Sequence, residues 1–427
     1  MTLNKMVFMT FTAALMVLSQ ACNTASQVSP PETPQVAGLV NGTSIAAPAG
    51  TNVMSFTVNG STCSNGSYVN KPCVSLTICN PGSTTTCQVV NDILLDTGSY
   101  GLRVFKSTIP GLTLTPVTAH QGGALTRCQA FADGTTEWGP VLKANVTLGG
   151  MPAVTVPIQI IDSTFATLPS GCSNADASPA AAGFNGILGV GLEAQDCGNL
   201  CVWTAGNAHA NTNIYFSCTD GATGYGNAGN ATSCVGGSTS TLSDQIQNPV
   251  AALATDNNGL IVRLPAISNK GVGSTTGYVI FGIGTRANNT PPSTAVKIIA
   301  DSNANMITNY NNTDYIGFLD TGSNGLYFNT TSMPTCSGWF CPSALTAFSP
   351  INRGADNLSS TPRSKVNFQI ANSTTLFGSG NGAVNDLGAP NTQFFDFGLP
   401  FYFGRDVYVG ISGTTSTSFG MGPYWAY

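Results

Sequence analysis

Two nine-residue stretches place a carboxylate in nearly the same surroundings: LLDTGSYGL at 94–102 and FLDTGSNGL at 318–326. Seven of the nine positions are identical, and the acids Asp96 and Asp320 lie 224 residues apart (320 − 96). A duplicated acid suits a reaction that needs one charged and one neutral carboxyl. Two carboxylates within hydrogen-bonding reach cannot both ionise cheaply. One pKa falls, the other rises, and the pair holds a single proton. The charged member can draw a proton from water while the neutral member protonates a carbonyl. Asp96 and Asp320 are therefore the candidate catalytic residues. Thr97 and Thr321 are placed to bond backbone, locally or across to the opposite loop. Gly98 and Gly322 permit unusual backbone geometry or the close approach of another chain, and Ser99 and Ser323 can hold a carboxylate oxygen.

Other chemistries fit less well. The three glutamates, Glu32, Glu137 and Glu193, leave a glycosidase pair to rest mainly on Asp. The two histidines, His120 and His209, lie in no recognisable nucleophile context and read as surface or loop residues. No paired CxxC pattern supports zinc, and the Gly-rich runs match no phosphate loop, so neither metal nor cofactor is expected. A net charge of −5 argues against nucleic acid as a partner.

The elements around the acids read as strands. Apolar residues precede each loop: Ile93-Leu94-Leu95 before Asp96, and Ile316-Gly317-Phe318-Leu319 before Asp320. Strand-length runs recur at 141–148, 154–161, 278–281 and 366–370; in the first, Leu142, Ala144, Val146 and Leu148 share a face. Long amphipathic helical patterns are missing. Stretches 165–182 and 193–245 read as long loops stapled by disulfides. Each acid loop is followed by a hydrophobic-hydrophobic-Gly segment: Asn185-Gly186-Ile187-Leu188-Gly189, and Tyr402-Phe403-Gly404-Arg405-Asp406.

These residues resemble the pepsin-like aspartic peptidases over most of the chain after about residue 50. Phe131-Ala132-Asp133-Gly134-Thr135, followed by Glu137-Trp138-Gly139, looks like that family's flap hairpin. Asn185 to Gly189 looks like its Asp-Gly-Ile-Leu-Gly segment, with Asn185 in place of the Asp. Gly277 to Gly282 looks like the strand opening the second lobe, and Phe403-Gly404-Arg405-Asp406 is similar to a stretch of the retroviral relatives. The overall make-up also looks like an uncharacterised family of bacterial lipoproteins. The resemblance implies a mostly-β, bilobal fold of two six-stranded-barrel-like lobes related by a pseudo-twofold axis. It implies an endopeptidase that holds an extended peptide between the lobes.

Two departures concern the flap. Phe131 stands where the resemblance implies a Tyr, and Arg103 stands where it implies that Tyr's Trp partner. Trp138 or Tyr100 could substitute. Arg103 is expected either near the acids, lowering a carboxylate pKa or binding a substrate carboxylate, or pointing to solvent. Asp133 reads as a turn former at the flap tip beside Gly134. The alternatives are the same fold kept as a silent peptide- or glycan-binding module, and an all-β surface protein with structural DTGS turns. Two complete DTGS loops favour the enzyme.

The 427 residues exceed one compact core, so two lobes are expected, 51–250 and 251–427, with Pro249 near the boundary. The first 22 residues read as a lipoprotein signal: Lys5, an apolar Met6–Leu18 run, then Leu18-Ser19-Gln20-Ala21-Cys22 with Cys22 as the lipidation site. Residues 23–50 read as a Pro- and Ser-rich tether without the basic character of an inhibitory propeptide. The protein is thus expected to be an exported monomer, anchored by lipid in the outer membrane and facing the periplasm or cell surface. Setting Cys22 aside leaves 12 of the 13 cysteines for bridges. Near neighbours suggest Cys336 with Cys341, Cys197 with Cys201, Cys218 with Cys234 and Cys128 with Cys172, and two bridges among Cys63, Cys73, Cys79 and Cys87.

Overall fold

The computed structural model describes residues 45–64, 68–205, 213–219, 233–356 and 362–427. The expected signal, Cys22, most of the tether and His209 lie outside the described residues. No helix among the described residues is long and apolar enough to cross a membrane. The fold is mostly β, with 43% of residues in strands and 8% in helices, and contains a closed six-strand barrel with additional strands around it.

The barrel runs through Thr136–Thr147, Val154–Ile161, Tyr100–Phe105, Gly186–Val190, Cys87–Asp96 and Pro72–Cys79, and closes where Pro72–Cys79 pairs again with Thr136–Thr147. Alternation explains its interior. Leu142, Ala144, Val146 and Leu148 are all buried in the main core, as their period of two predicts. The same sheet continues beyond the barrel: Val53–Val58 pairs with Thr275–Phe281, which leads on through Gly259–Arg263 to Asp406–Gly410 and Tyr424–Ala426. A strand from the beginning of the described chain is thus clamped between the barrel and later segments.

The second acid loop sits on a different sheet. Its seven strands follow the order Arg363–Lys365, Ile351–Arg353, Met306–Tyr310, Thr313–Leu319, Phe394–Phe397, Leu326–Phe328 and Gly388–Pro390. This sheet is open, since its outermost strands are three residues each and do not meet. The local pairing around the two acids is nonetheless the same. Cys87–Asp96 runs parallel to Gly186–Val190, as Thr313–Leu319 does to Phe394–Phe397. The strand after each acid pairs antiparallel with that partner, then parallel with one more strand.

The four named disulfides form, Cys128–Cys172, Cys197–Cys201, Cys218–Cys234 and Cys336–Cys341, and the open cluster resolves into Cys63–Cys73 and Cys79–Cys87. One expected loop is corrected. Within 193–245, Tyr215–Thr219 and Ser233–Gly236 pair as a hairpin and extend the sheet beside Ala124–Ala130. Cys218 and Cys234 sit opposite each other in that hairpin, so its register and its disulfide support one another.

Two buried charges make the fold sensitive to substitution and to pH. Lys71 Nζ lies 2.7 Å from Asp92 Oδ1, with both side chains fully buried, and also donates to the Gly183 carbonyl. Removing one partner of such a pair strands the other charge in a low-dielectric interior. Lys71→Met should therefore lower unfolding free energy by about 3–5 kcal/mol, read as a lower urea midpoint. Asp386 is buried between Val384 and Leu387 of a small apolar cluster, with no side chain partnering its carboxyl oxygens. Burial pushes its pKa from 3.8 to about 6. Between those values the unfolded chain releases a proton that the folded chain keeps, so stability falls as pH rises, by on the order of 3 kcal/mol in all. Asp386→Asn, which cannot ionise, should melt above the parent protein at neutral pH, and the gap should close as pH falls toward 3.8.

Candidate functional site

Each acid sits at the end of a strand, where the chain turns through Thr-Gly-Ser. The two turns meet and bond reciprocally. The Thr97 amide donates to Thr321 Oγ1 at 3.0 Å, and the Thr321 amide donates to Thr97 Oγ1 at 3.0 Å. Thr97 Oγ1 donates to the Leu319 carbonyl at 3.0 Å, and Thr321 Oγ1 to the Leu95 carbonyl at 2.7 Å. The Tyr402 hydroxyl lies 2.9 Å from Thr97 Oγ1. Because the single Thr97 proton is directed at Leu319, the tyrosine is the donor there. Both threonines are buried, so these bonds form away from competing water.

The grip brings the carboxyls together. Asp96 and Asp320 are in hydrogen-bonding contact with each other. Gly98 N donates to Asp96 Oδ1 at 2.8 Å and Gly322 N to Asp320 Oδ1 at 2.7 Å. Ser99 Oγ bonds Asp96 Oδ2, and Ser323 Oγ bonds Asp320 Oδ2 at 2.8 Å. Burial, then the charge of Asp320 and their mutual hydrogen bond, hold the Asp96 pKa well above the usual carboxylate range, against the opposing bonds from Ser99 and Gly98. Asp96 therefore keeps a proton in the pair.

The glycines are required by space rather than by left-handed backbone, which neither adopts. A Cβ at Gly98 would lie 2.6 Å from Asp320 Cγ, and one at Gly322 would lie 2.8 Å from Asp96 Oδ1. Each glycine is pressed against the opposite loop's acid.

The two acids open into a cleft of about 510 Å³ lined on one side by Leu94, Phe184 and Ile187 and on the other by Phe318, Tyr327 and Phe394. The expected hairpin overhangs it. Ala124–Ala130 pairs with Thr136–Thr147, and Phe131 and Asp133 at its tip line the cleft. Asp133 Oδ1 accepts from the Thr135 amide at 2.9 Å and from Thr135 Oγ1 at 2.7 Å, as a turn former does. Gly134, at φ +88°, takes the left-handed position of that turn. The hairpin is braced by Cys128–Cys172 and by Asn174 Nδ2 donating to the Gly134 carbonyl at 2.6 Å.

Arg103 is corrected on both expectations: it neither lines the cleft nor points to solvent. Its neighbours Leu102 and Val104 face the barrel core, so period two turns Arg103 to the other side, beneath the hairpin. There it is wholly buried, donating to Gln159 Oε1 at 3.1 Å, the Tyr100 carbonyl at 2.8 Å and Gln129 Oε1 at 3.0 Å, with Asp196 at 3.5 Å. Gln129 lies on the first hairpin strand, so Arg103 anchors the hairpin from below. Trp138 is buried edge-on against Phe216, 5.3 Å between centroids, and Tyr100 packs against the core; neither lines the cleft. His120 is exposed and stacks on Trp203 at 4.1 Å. Cys63, Cys73 and Asp92 come within ligand spacing of one another, but the two sulfurs are bonded together and offer no thiolate.

The second hydrophobic-hydrophobic-Gly segment is also corrected. The strand beside Asp320 is Phe394–Phe397, followed by Gly398, not Tyr402-Phe403-Gly404. The Asp320 amide donates to the Phe397 carbonyl at 3.1 Å. Asp96 stands opposite Gly189 in the first half, and Gly398 holds the equivalent level in the second. A Cβ at Gly189 would meet the Tyr100 amide at 2.6 Å, and one at Gly398 would meet the Gly325 carbonyl at 2.1 Å. Both glycines let the returning turn cross. Tyr402 instead ends a short 3-10 helix and reaches the site through Thr97.

That shift reveals a third acid. Asp396 occupies the level that Ile187 holds in the first half; it is buried, lines the cleft, and leaves Oδ1 without a hydrogen bond. Burial and then the charge of Asp320 push its pKa well up, while the nearby Ser323 hydroxyl pulls the other way. The acid in the middle of Phe395-Asp396-Phe397-Gly398 hides the apolar pattern that would have marked this strand. Tyr68 is a second residue that sequence reasoning missed. It lines the cleft from within the Cys63–Cys73 loop, and burial together with the surrounding acids pushes its phenol pKa up, keeping it a neutral donor. The loop's length carries no sign of that placement.

A family model described as "Protein of unknown function (DUF3443)" matches residues 48–427. No curated protein matches the chain. This match corrects the resemblance to pepsin-like aspartic peptidases, and with it the likeness to a lipoprotein family. Paired nine-residue loops are too short a fraction of the chain to decide membership, which rests on the pattern of strands and core along its length. Across nearly its whole described extent, the chain belongs to the DUF3443 family of proteins of unknown function.

Proposed function

We propose that this protein is an aspartic-type endopeptidase that hydrolyses peptide bonds with a water activated between Asp96 and Asp320. The observation that carries the reading is the contact of the buried Asp96 carboxyl with the half-buried Asp320 carboxyl, held by reciprocal threonine bonds at the floor of a cleft. Asp320 draws a proton from the water as its oxygen attacks the carbonyl carbon, and Asp96 gives its proton to the carbonyl oxygen. The product is a tetrahedral diol. Asp320 then protonates the leaving nitrogen while Asp96 takes a proton from one diol hydroxyl, and the C–N bond breaks. The pair returns to its starting protonation with no covalent enzyme intermediate.

The reading extends to architecture and location. Two lobes, the first built on the closed barrel and the second on the open sheet, each contribute one DTGS loop and are related locally by a pseudo-twofold passing between the loops; the duplicated strand pairings support this. A peptide or protein substrate lies extended between the lobes under the Phe131–Thr135 hairpin tip. The monomer is exported and held in the outer membrane by lipid on Cys22. A silent peptide- or glycan-binding protein is the second reading, favoured by a hairpin aromatic, Phe131, that has no hydroxyl.

Purified protein should cleave unfolded polypeptides at acidic to mildly acidic pH, with activity falling as Asp96 loses its proton at higher pH and as the pair gains a second at lower pH. A statine-type peptide should inhibit it. Asp96→Asn and Asp320→Asn should each reduce cleavage by about 10³-fold or more with melting retained. Unchanged proteolysis in either variant rules the mechanism out, and peptide binding without cleavage in the parent selects the silent reading. Gly98→Ala should also lose cleavage, because its Cβ would lie 2.6 Å from Asp320 Cγ, whereas Gly171→Ala, whose Cβ meets nothing, should not.

A further inference from the structure

We propose that Asp396 makes the cleft selective for a cationic side chain, so that the peptide it takes carries lysine or arginine beside Asp320. The inference rests on the reading of the cleft as a peptide site. Among the described residues four acids line it, Asp96, Asp133, Asp320 and Asp396, and no Lys, Arg or His does. Asp96 and Asp320 satisfy each other, and Asp133 is engaged by Thr135. Asp396 differs. It is 4% exposed, one carboxyl oxygen has no hydrogen-bond partner, and it lines the cavity. A buried carboxyl oxygen without a donor is costly, and a substrate ammonium or guanidinium would relieve that cost and draw the carboxyl from its neutral into its charged form.

The surroundings specify the donor. Phe318 and Phe394, 5.2 Å apart, and Tyr327 line the cleft on the same side. Aromatic faces pack the methylene stem of a long basic side chain and attract its charged head. Tyr327 stands opposite Asp396 in the antiparallel pairing of their strands. At the equivalent level in the first half the chain has Ile187, with Leu94 and Phe184 nearby in the lining. The two sides of the cleft therefore differ: one is apolar, and the other is aromatic with an acid at its base. Such asymmetry sets the direction in which a peptide lies as well as the residue it presents.

The test measures binding, so it does not depend on turnover. Short fluorescent peptides identical except for a central lysine, norleucine or glutamate, each with a free or an acetylated N-terminus, are titrated against the full protein and against Asp396→Ile and Asp396→Asn. The parent should bind the lysine peptide about tenfold or more tighter than the norleucine peptide, with glutamate weakest, whatever the N-terminus. Asp396→Ile should reverse the order of lysine and norleucine, and Asp396→Asn, the closer isostere, should lose the lysine preference. Equal binding of lysine and norleucine by the parent overturns the inference. So does a lysine preference that survives both substitutions, a preference that follows the free N-terminal amine, or no peptide binding at all. Cleavage without lysine preference overturns this inference and leaves the hydrolase reading intact. Lysine-selective binding without cleavage supports it and overturns the hydrolase reading.

Discussion

The site depends on four hydrogen bonds between two turns. Each threonine hydroxyl accepts the other threonine's amide and donates to the carbonyl preceding the opposite acid. A threonine in one turn thus completes the backbone of the other. Neither turn can satisfy its buried polar groups alone, so the two are stable only together. The carboxyls follow as a consequence: with the backbones locked at this separation, Asp96 and Asp320 have nowhere to go but toward each other. The raised pKa of Asp96 follows from geometry that is settled one bond shell further out.

The supporting strands repeat that logic on a larger scale. Each acid strand runs beside a parallel strand with a glycine at the level of the acid, Gly189 within the strand or Gly398 just after it, and a side chain there would strike the turn that returns past it. Around this matched centre the two halves diverge. The first acid strand is one stave of a closed barrel, while the second belongs to an open sheet whose core is a cluster of aromatic rings around Phe328 and Phe395. The first half also carries most of the charge used for positioning. Arg103, Asp196 and Arg127 form a buried network under the hairpin, with Arg127 Nε 2.6 Å from Asp196 Oδ2. A fixed hairpin over a fixed pair of acids leaves the cleft walls as the part of the molecule free to choose a ligand.

Several elements were legible because their signal is local. The barrel strand at Val154–Ile161 lies where its apolar run put it, and the face shared by Leu142, Ala144, Val146 and Leu148 is the buried one. Four of the six disulfides were named from the chain and an even count, whereas the pairing of Cys63 with Cys73 and of Cys79 with Cys87 came from the fold. The hairpin tip was readable from its turn residues. Other residues were misplaced where local pattern and tertiary context disagree. Tyr402-Phe403-Gly404 is the more apolar match, yet Gly398 holds the strand position, since a buried acid, Asp396, interrupts the better-placed segment. Arg103 has the charge of a surface or site residue, but its strand turns it beneath the hairpin, where Gln159, Gln129 and Asp196 supply partners that only folding assembles.

By itself, the sequence determined that two acids in twin turns would lie at the ends of strands, that the fold would be mostly β, and that twelve cysteines would pair, four of the bridges between named partners. Those properties depend on neighbours within a few residues, or on short chain separations. Tertiary structure alone decided that a third carboxyl, Asp396, stands beside the pair, that Tyr68 enters the cleft from a disulfide loop, and that Arg103 leaves it. The reason is one of range. What a side chain faces across a cleft is set by strand register and by contacts between segments hundreds of residues apart, and no pattern along the chain records either.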